Sequence, residues 1–139
     1  MSASQRLKGQ RGEREAFRLM SDRLGTIVRR NIDQARKGGA DGLDIPGWAV
    51  EVKRQQRAYV EQWWRQAVDQ AAACEPPRRP LLLYRANHKP WRAVLRLRDL
   101  ADQYAGQPDH ERVELTLDAA CTVIREQWTI DAWRPNGHE

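Results

Sequence analysis

The run Leu81–Arg85 (Leu-Leu-Leu-Tyr-Arg) constrains this chain more than any other feature. A continuous apolar stretch of this length reads as a buried strand with both faces covered, the pattern of sheets that carry helices on their faces. Two amphipathic segments can supply such helices. Residues 7–24 place Ala16, Phe17, Met20 and Leu24 on one stripe at helical spacing, and Gly25 follows where a helix C-cap is expected. Ala58–Cys74 places Val60, Trp64, Ala67, Val68 and Ala71 on another stripe.

The remaining periodicities are of strand type. Thr26–Arg30 is a short β-branched run, followed by a basic loop ending in Gly38-Gly39. Asp41–Ile45 and Trp48–Arg54 read as two strands around Pro46-Gly47. Trp91, Ala93, Leu95 and Leu97 alternate, as do Val113, Leu115 and Leu117. Leu117, Cys121, Ile124 and Trp128 then fit a last helix, with a loose tail from Asp131. The expected fold is α/β: a core in the order αβββαβ with a mixed central sheet flanked by helices, plus a C-terminal αβ extension. It forms one domain over residues 1–139, with the core at about 8–97 and the extension at about 98–139.

Composition narrows the function class. A chain of 139 residues buries enough surface to fold without a staple, and two cysteines make neither a disulfide scaffold nor a cysteine-based zinc site. His88 and His110 lack a partner at ligand spacing, which argues against zinc. No apolar run approaches a membrane span and the first residues do not read as a secretory signal, so a cytoplasmic setting without a membrane partner is expected. Charge is unevenly spread. Residues 1–60 carry 13 basic and 7 acidic side chains, against 11 and 12 in the rest. A localised basic excess suits a polyanion such as DNA, although a solubilising surface would carry the same charge.

Alternation in Trp48–Arg54 puts Trp48, Val50 and Val52 on one face and Ala49, Glu51 and Lys53 on the other. A two-residue loop at Pro46-Gly47 pairs Ile45 with Trp48, Asp44 with Ala49 and Gly42 with Glu51. Asp44, Glu51 and Lys53 then converge on one face, where two carboxylates suit Mg²⁺ and a lysine can orient a water. A solvated strand face with an ordinary ion pair would look the same. A Pro-Gly loop normally makes a type II turn, which splays a hairpin, and a longer loop would shift this register. Glu13 shares the stripe of Ala16 and Phe17, which suggests a site at the interior end of the first helix; an acid favoured by the helix dipole is the other reading. Glu15, off that stripe, is expected to face solvent.

Lys8-Gly9-Gln-Arg-Gly-Glu13-Arg14-Glu15, then Asp44, then Glu51-Val52-Lys53, resembles the PD-(D/E)xK nucleases. Within that superfamily it is most similar to archaeal-type Holliday-junction resolvases and their phage relatives, over about residues 8–97. The resemblance implies a restriction-endonuclease-like core and a Mg²⁺-dependent DNA endonuclease, with Mn²⁺ able to substitute. It implies Asp44, Glu51 and the main-chain carbonyl of Val52 as metal ligands, Lys53 positioning the attacking water, and Glu13 at the edge of the site. It also implies branched DNA, a Holliday junction among others, as substrate, and a homodimer. The departures are Leu43 in place of a frequent proline, no serine in residues 22–139, and no match beyond residue 97.

Arg29, Arg30, Arg36 and Lys37 flank the expected site and could grip phosphates, or form a solvated basic loop. Gln66 and Gln70 lie off the stripe of the second helix, where related nucleases sometimes place a Gln near the metal and where a solvated face is the simpler reading. Trp91 and Trp133 are candidates for a dimer interface. The alternatives to a branched-DNA endonuclease are a nuclease of the same fold acting on DNA ends or non-specific duplex, and a non-catalytic DNA-binding module.

Overall fold

The computed structural model describes residues 2–31 and 39–133, with side chains through Trp128. Helix α1 spans Ala3–Leu24 and starts four residues before the apolar periodicity. Ser2 explains the early start. Its hydroxyl accepts the Gln5 N–H at 3.2 Å, and the Gln5 side-chain oxygen accepts the Ser2 N–H at 3.0 Å, a reciprocal cap. Gly25 closes the helix in the left-handed region (φ 72°), with its N–H on Ser21 O.

The other elements are β1 (Trp48–Gln55), α2 (Val60–Ala73), β2 (Arg79–Ala86), β3 (Arg92–Arg96), β4 (Arg112–Thr116) and α3 (Leu117–Trp133). Two single-turn 3₁₀ helices, Leu97–Asp99 and Asp102–Tyr104, join β3 to β4. The strands form one sheet in the order β1-β2-β3-β4, with β1 parallel to β2 and the other pairs antiparallel. This is a mixed α/β sheet flanked by helices, compatible with a restriction-endonuclease-like fold.

Alternation sorts each strand between two layers. Val50, Val52, Leu81, Leu83, Ala93 and Leu95 face the core shared with Phe17 and Met20 of α1 and Leu117, Cys121 and Ile124 of α3. Leu82, Tyr84 and Val94 face Trp63, Trp64 and Ala67 of α2. Burying a leucine or tryptophan side chain is worth roughly 2–3 kcal/mol, so these two layers carry most of the stabilisation. Gly12 lets α1 approach β1 closely, because a Cβ there would lie 2.7 Å from Arg54 Cβ. Trp91 is buried in the α1 core, its indole N–H donating to Glu15 Oε1 at 2.7 Å, so it is not an interface residue. The Trp133 side chain lies outside the described side chains.

Four expectations need correction. Thr26–Arg30 forms no strand; it runs as irregular chain, with Val28 buried. Asp41–Ile45 contributes only a single bridge rather than a strand. Helix α3 continues to Trp133, past the start of the expected loose tail. The hairpin register also differs. Gly42 pairs with Val50, not Glu51, through N–H···O bonds of 3.0 and 2.9 Å in both directions.

The turn is the cause of the register. Trp48 N–H bonds Ile45 O at 3.1 Å, and Gly47 has φ 79°, the geometry of a Pro-Gly type II turn. Such a turn splays its flanks, and pairing resumes only after one extra residue on the incoming side. Leu43 and Asp44 together therefore stand opposite the single Ala49. Arg78 secures this irregular stretch, its Nη1 lying 2.8, 3.4 and 3.0 Å from the carbonyl oxygens of Leu43, Ile45 and Trp48.

Candidate active site

A one-residue slip in a strand exchanges the faces of every side chain on it. In the observed register Asp41, not Asp44, joins the face of Glu51. Asp41 is 3% exposed, and its Oδ2 accepts the Val52 N–H at 2.7 Å. Its carboxyl neighbours those of Glu13 and Glu51 closely enough to disfavour the ionisation of both. Asp44 sits on the exposed side of the loop, where its Oδ2 accepts the Arg29 backbone N–H at 2.9 Å and the Arg29 Nε–H at 3.1 Å. These bonds, the backbone one foremost, hold the Asp44 carboxyl below the usual carboxylate range. Asp44 braces residue 29 against the loop and does not line the cleft described next.

The cleft is about 1080 Å³ in volume and opens between the first half of α1 and the end of β1. Glu13, Asp41, Glu51, Val52, Lys53 and Gln66 are among the residues lining it. Glu51 is 3% exposed, fixed from α2 by a Gln66 Nε2–H···Oε1 bond of 3.3 Å and faced by Lys53 Nζ at 3.7 Å. Glu13 meets Arg30 Nη1 at 3.7 Å. Burial, then the neighbouring Asp41, pushes the Glu51 carboxyl up to about 8, against the pull of Lys53. The same two causes push Glu13 up to about 7, against the pull of Arg30. Three carboxylates so close repel one another, and two nearby cations do not relieve all of that repulsion.

The donor set fits a divalent cation. Glu51 Oε2 is buried without a hydrogen-bond partner, a position in which a facing cation would favour the ionised carboxylate that burial disfavours. Among the described residues, no three His, Cys, Asp or Glu side chains converge to hold one ion together. An ion held here would therefore take only one or two carboxylates from these residues and complete its shell with water or phosphate.

The other expected site residues divide. Glu51, Lys53, Val52 and Glu13 come together as expected, and Gln66 joins them against the simpler solvated reading. Gln70 does not line the cleft, and its side-chain oxygen is buried without a partner. Arg30 reaches the site through Glu13, Arg29 is engaged with Asp44, and Arg36 and Lys37 lie outside the described residues. Glu15 does not face solvent; it binds Arg85 Nη1 at 2.6 Å as well as the Trp91 indole. Asp41 lines the cleft although the expected hairpin register did not select it. The signal was present in Pro46-Gly47, whose type II preference already disfavours the register that selects Asp44.

Among the described residues, no helix is long and apolar enough to cross a membrane. No curated protein and no solved structure gives a match to this chain. Residues 4–129 match the family described as "Phage putative PDDEXK endonuclease". The match takes in α1, the loop carrying Asp41 and all four strands, and so every residue of the carboxylate cluster. This chain belongs to the phage PDDEXK endonuclease family.

Proposed function

We propose that the protein is a divalent-metal-dependent DNA endonuclease whose working carboxylates are Asp41 and Glu51, with Glu13 at the edge of the site. The observation that carries this reading is the buried, unpartnered Glu51 Oε2, adjacent to Asp41 and Lys53 in an open cleft. Asp41, Glu51 and the main-chain carbonyl of Val52 would hold Mg²⁺ or Mn²⁺. When bound, such an ion lowers the pKa of a coordinated water and offsets charge on the phosphoryl group. Lys53 donates its ammonium protons toward the attacking water or the scissile phosphate, stabilising the charge that develops there. Gln66 keeps Glu51 in one rotamer, and the Val52 N–H does the same for Asp41. Arg30, with the charge of Arg29, Arg36 and Lys37, attracts the DNA backbone.

We take branched DNA as the preferred substrate and a two-fold dimer as the working form. The described residues of one chain carry one such cluster, and cutting two strands of a junction needs two. The test is a cleavage panel of four-way junction, flap, linear duplex and single strand, each with Mg²⁺, Mn²⁺ or EDTA. Asp41→Asn, Glu51→Gln and Lys53→Ala should each lose at least about 10²-fold in rate. Asp44→Asn should stay within about tenfold of wild type, because it removes a loop brace and not a ligand. An inactive Asp44→Asn protein beside an active Asp41→Asn protein would refute the assignment. Sedimentation at micromolar concentration reads the dimer; a 16.1 kDa species that cuts both strands in one encounter would refute it.

A further inference from the structure

The cleft does not end at the carboxylates. Beyond Glu13, Asp41 and Glu51 its lining holds no acidic side chain among the described residues. Its outer walls carry Arg6 and Lys8 from α1 and Arg54 and Arg57 from the end of β1 and the loop after it. Among the described residues, Arg6, Arg54 and Arg57 form no ion pair, whereas Lys8 is turned toward Asn87 by a hydrogen bond of 3.3 Å. The Arg54 stem lies against Gly12 of α1. Unpaired guanidinium groups lining one cleft are suited to consecutive phosphates of a single strand.

Tyr59 stands on the same rim, between Arg57 and the start of α2. It is one of three large hydrophobic side chains that remain exposed among the described residues, at 50%. Its ring is braced edge-to-face by the buried Trp63, with centroids 5.9 Å apart and planes at 82°. A braced, half-open aromatic ring beside unpaired arginines resembles the working parts of single-strand binding surfaces, in which bases stack on aromatic rings and cations follow the backbone. A continuous duplex offers no free base face to such a ring, because its bases are already stacked on one another.

We infer that Tyr59 stacks on an unpaired base next to the scissile phosphate, while Arg6, Arg54 and Arg57 hold the phosphates of that strand. The selected DNA therefore carries unpaired nucleotides beside the cut, as at a branch point, flap or overhang. This deepens the nuclease reading and rests on it for the position of the cut.

The experiment separates the two. DNA with 2-aminopurine at the unpaired position of a flap is bound by wild-type protein in EDTA, where binding is read without cleavage. Wild type should quench the probe and bind the flap more tightly than the same duplex without it. Tyr59→Ala should lose the quench and about tenfold of the flap-over-duplex preference, and Tyr59→Phe should keep both. Replacing Arg54 and Arg57 by Gln should lower affinity and flatten its salt dependence by about two units of slope at most. An unaltered quench in a folded Tyr59→Ala protein, or wild type with no flap preference, would overturn the inference. Cleavage by wild type with Mg²⁺ is scored separately. Its absence alongside a Tyr59-dependent quench would reject the nuclease reading and leave the stacking site standing.

Discussion

Gly42→Ala tests the register on which the site depends. In the observed pairing, a Cβ on Gly42 would lie 2.6 Å from Phe17 Cε1 and 2.8 Å from Phe17 Cζ, with Val50 Cβ at 3.5 Å. Ordinary contact begins at 3.4 Å, so strand and ring must separate by about 0.6–0.8 Å. The Phe17 ring is 5% exposed and shares its core with Met20 and Val50, which leaves it nowhere to swing. Overpacking of this kind costs about 1–3 kcal/mol. For a domain of this size each kcal/mol moves Tm by about 4 °C, so Tm should fall by about 4–12 °C. The displaced segment is the one carrying Asp41, whose bond to Val52 N–H is then stretched. Cleavage below the melting range should therefore fall by at least about tenfold. In the alternative register Gly42 would face the open cleft opposite Glu51, and an alanine would be accommodated. A Gly42→Ala protein with unchanged Tm and full activity would refute the observed register, and Asp41 with it.

Three further outcomes follow from the same geometry. Glu51→Gln keeps the shape of the side chain and removes a carboxyl whose ionisation burial and Asp41 disfavour up to about pH 8, so that at neutral pH folding no longer requires it to take up a proton. In EDTA its Tm should rise by a few degrees, roughly 3–8 °C, and millimolar Mg²⁺ should no longer raise it; differential scanning fluorimetry reads both, and a lower Tm in EDTA would contradict the account. Arg78→Ala frees the carbonyls of Leu43, Ile45 and Trp48 and should cost about 2–3 kcal/mol in urea unfolding, with Arg78→Lys recovering only part, since the lysine stem is one bond short of the Nη1 position; full stability in the alanine variant would remove Arg78 as the clamp. Neutralising Arg29, Arg30, Arg36 and Lys37 together should flatten the salt dependence of DNA binding by close to one unit per lost phosphate contact, and an unchanged slope would place the phosphates elsewhere.

Much of the architecture was legible from local patterns. The apolar run at Leu81 predicted a strand covered on both faces, and β2 is that strand. The stripes of residues 7–24 and 58–74 named the helices that cover it, and Gly25 marked the end of the first. The alternation in Trp48–Arg54 placed Glu51 and Lys53 together, because parity along one strand is a local property. Glu13 was legible for the same reason, as a carboxylate on an apolar helical stripe.

Which aspartate faces Glu51 is not a local property. Asp41 and Asp44 are three residues apart, an odd number, so a regular strand would place them on opposite faces. The choice between them depends on how many residues the turn consumes before pairing resumes. That number is set by the left-handed φ of Gly47, by the Arg78 guanidinium arriving from beyond α2, and by the Phe17 ring that leaves no room beside Gly42. Glu15 and Trp91 show the same division: helical spacing put Glu15 off the buried stripe, yet Arg85 and Trp91, from a distant part of the sheet, close over it. The sequence by itself determined the elements, their faces and the presence of an acidic cluster beside a lysine. Only the tertiary structure decided which aspartate completes that cluster, because strand register is set by contacts between segments far apart in the chain.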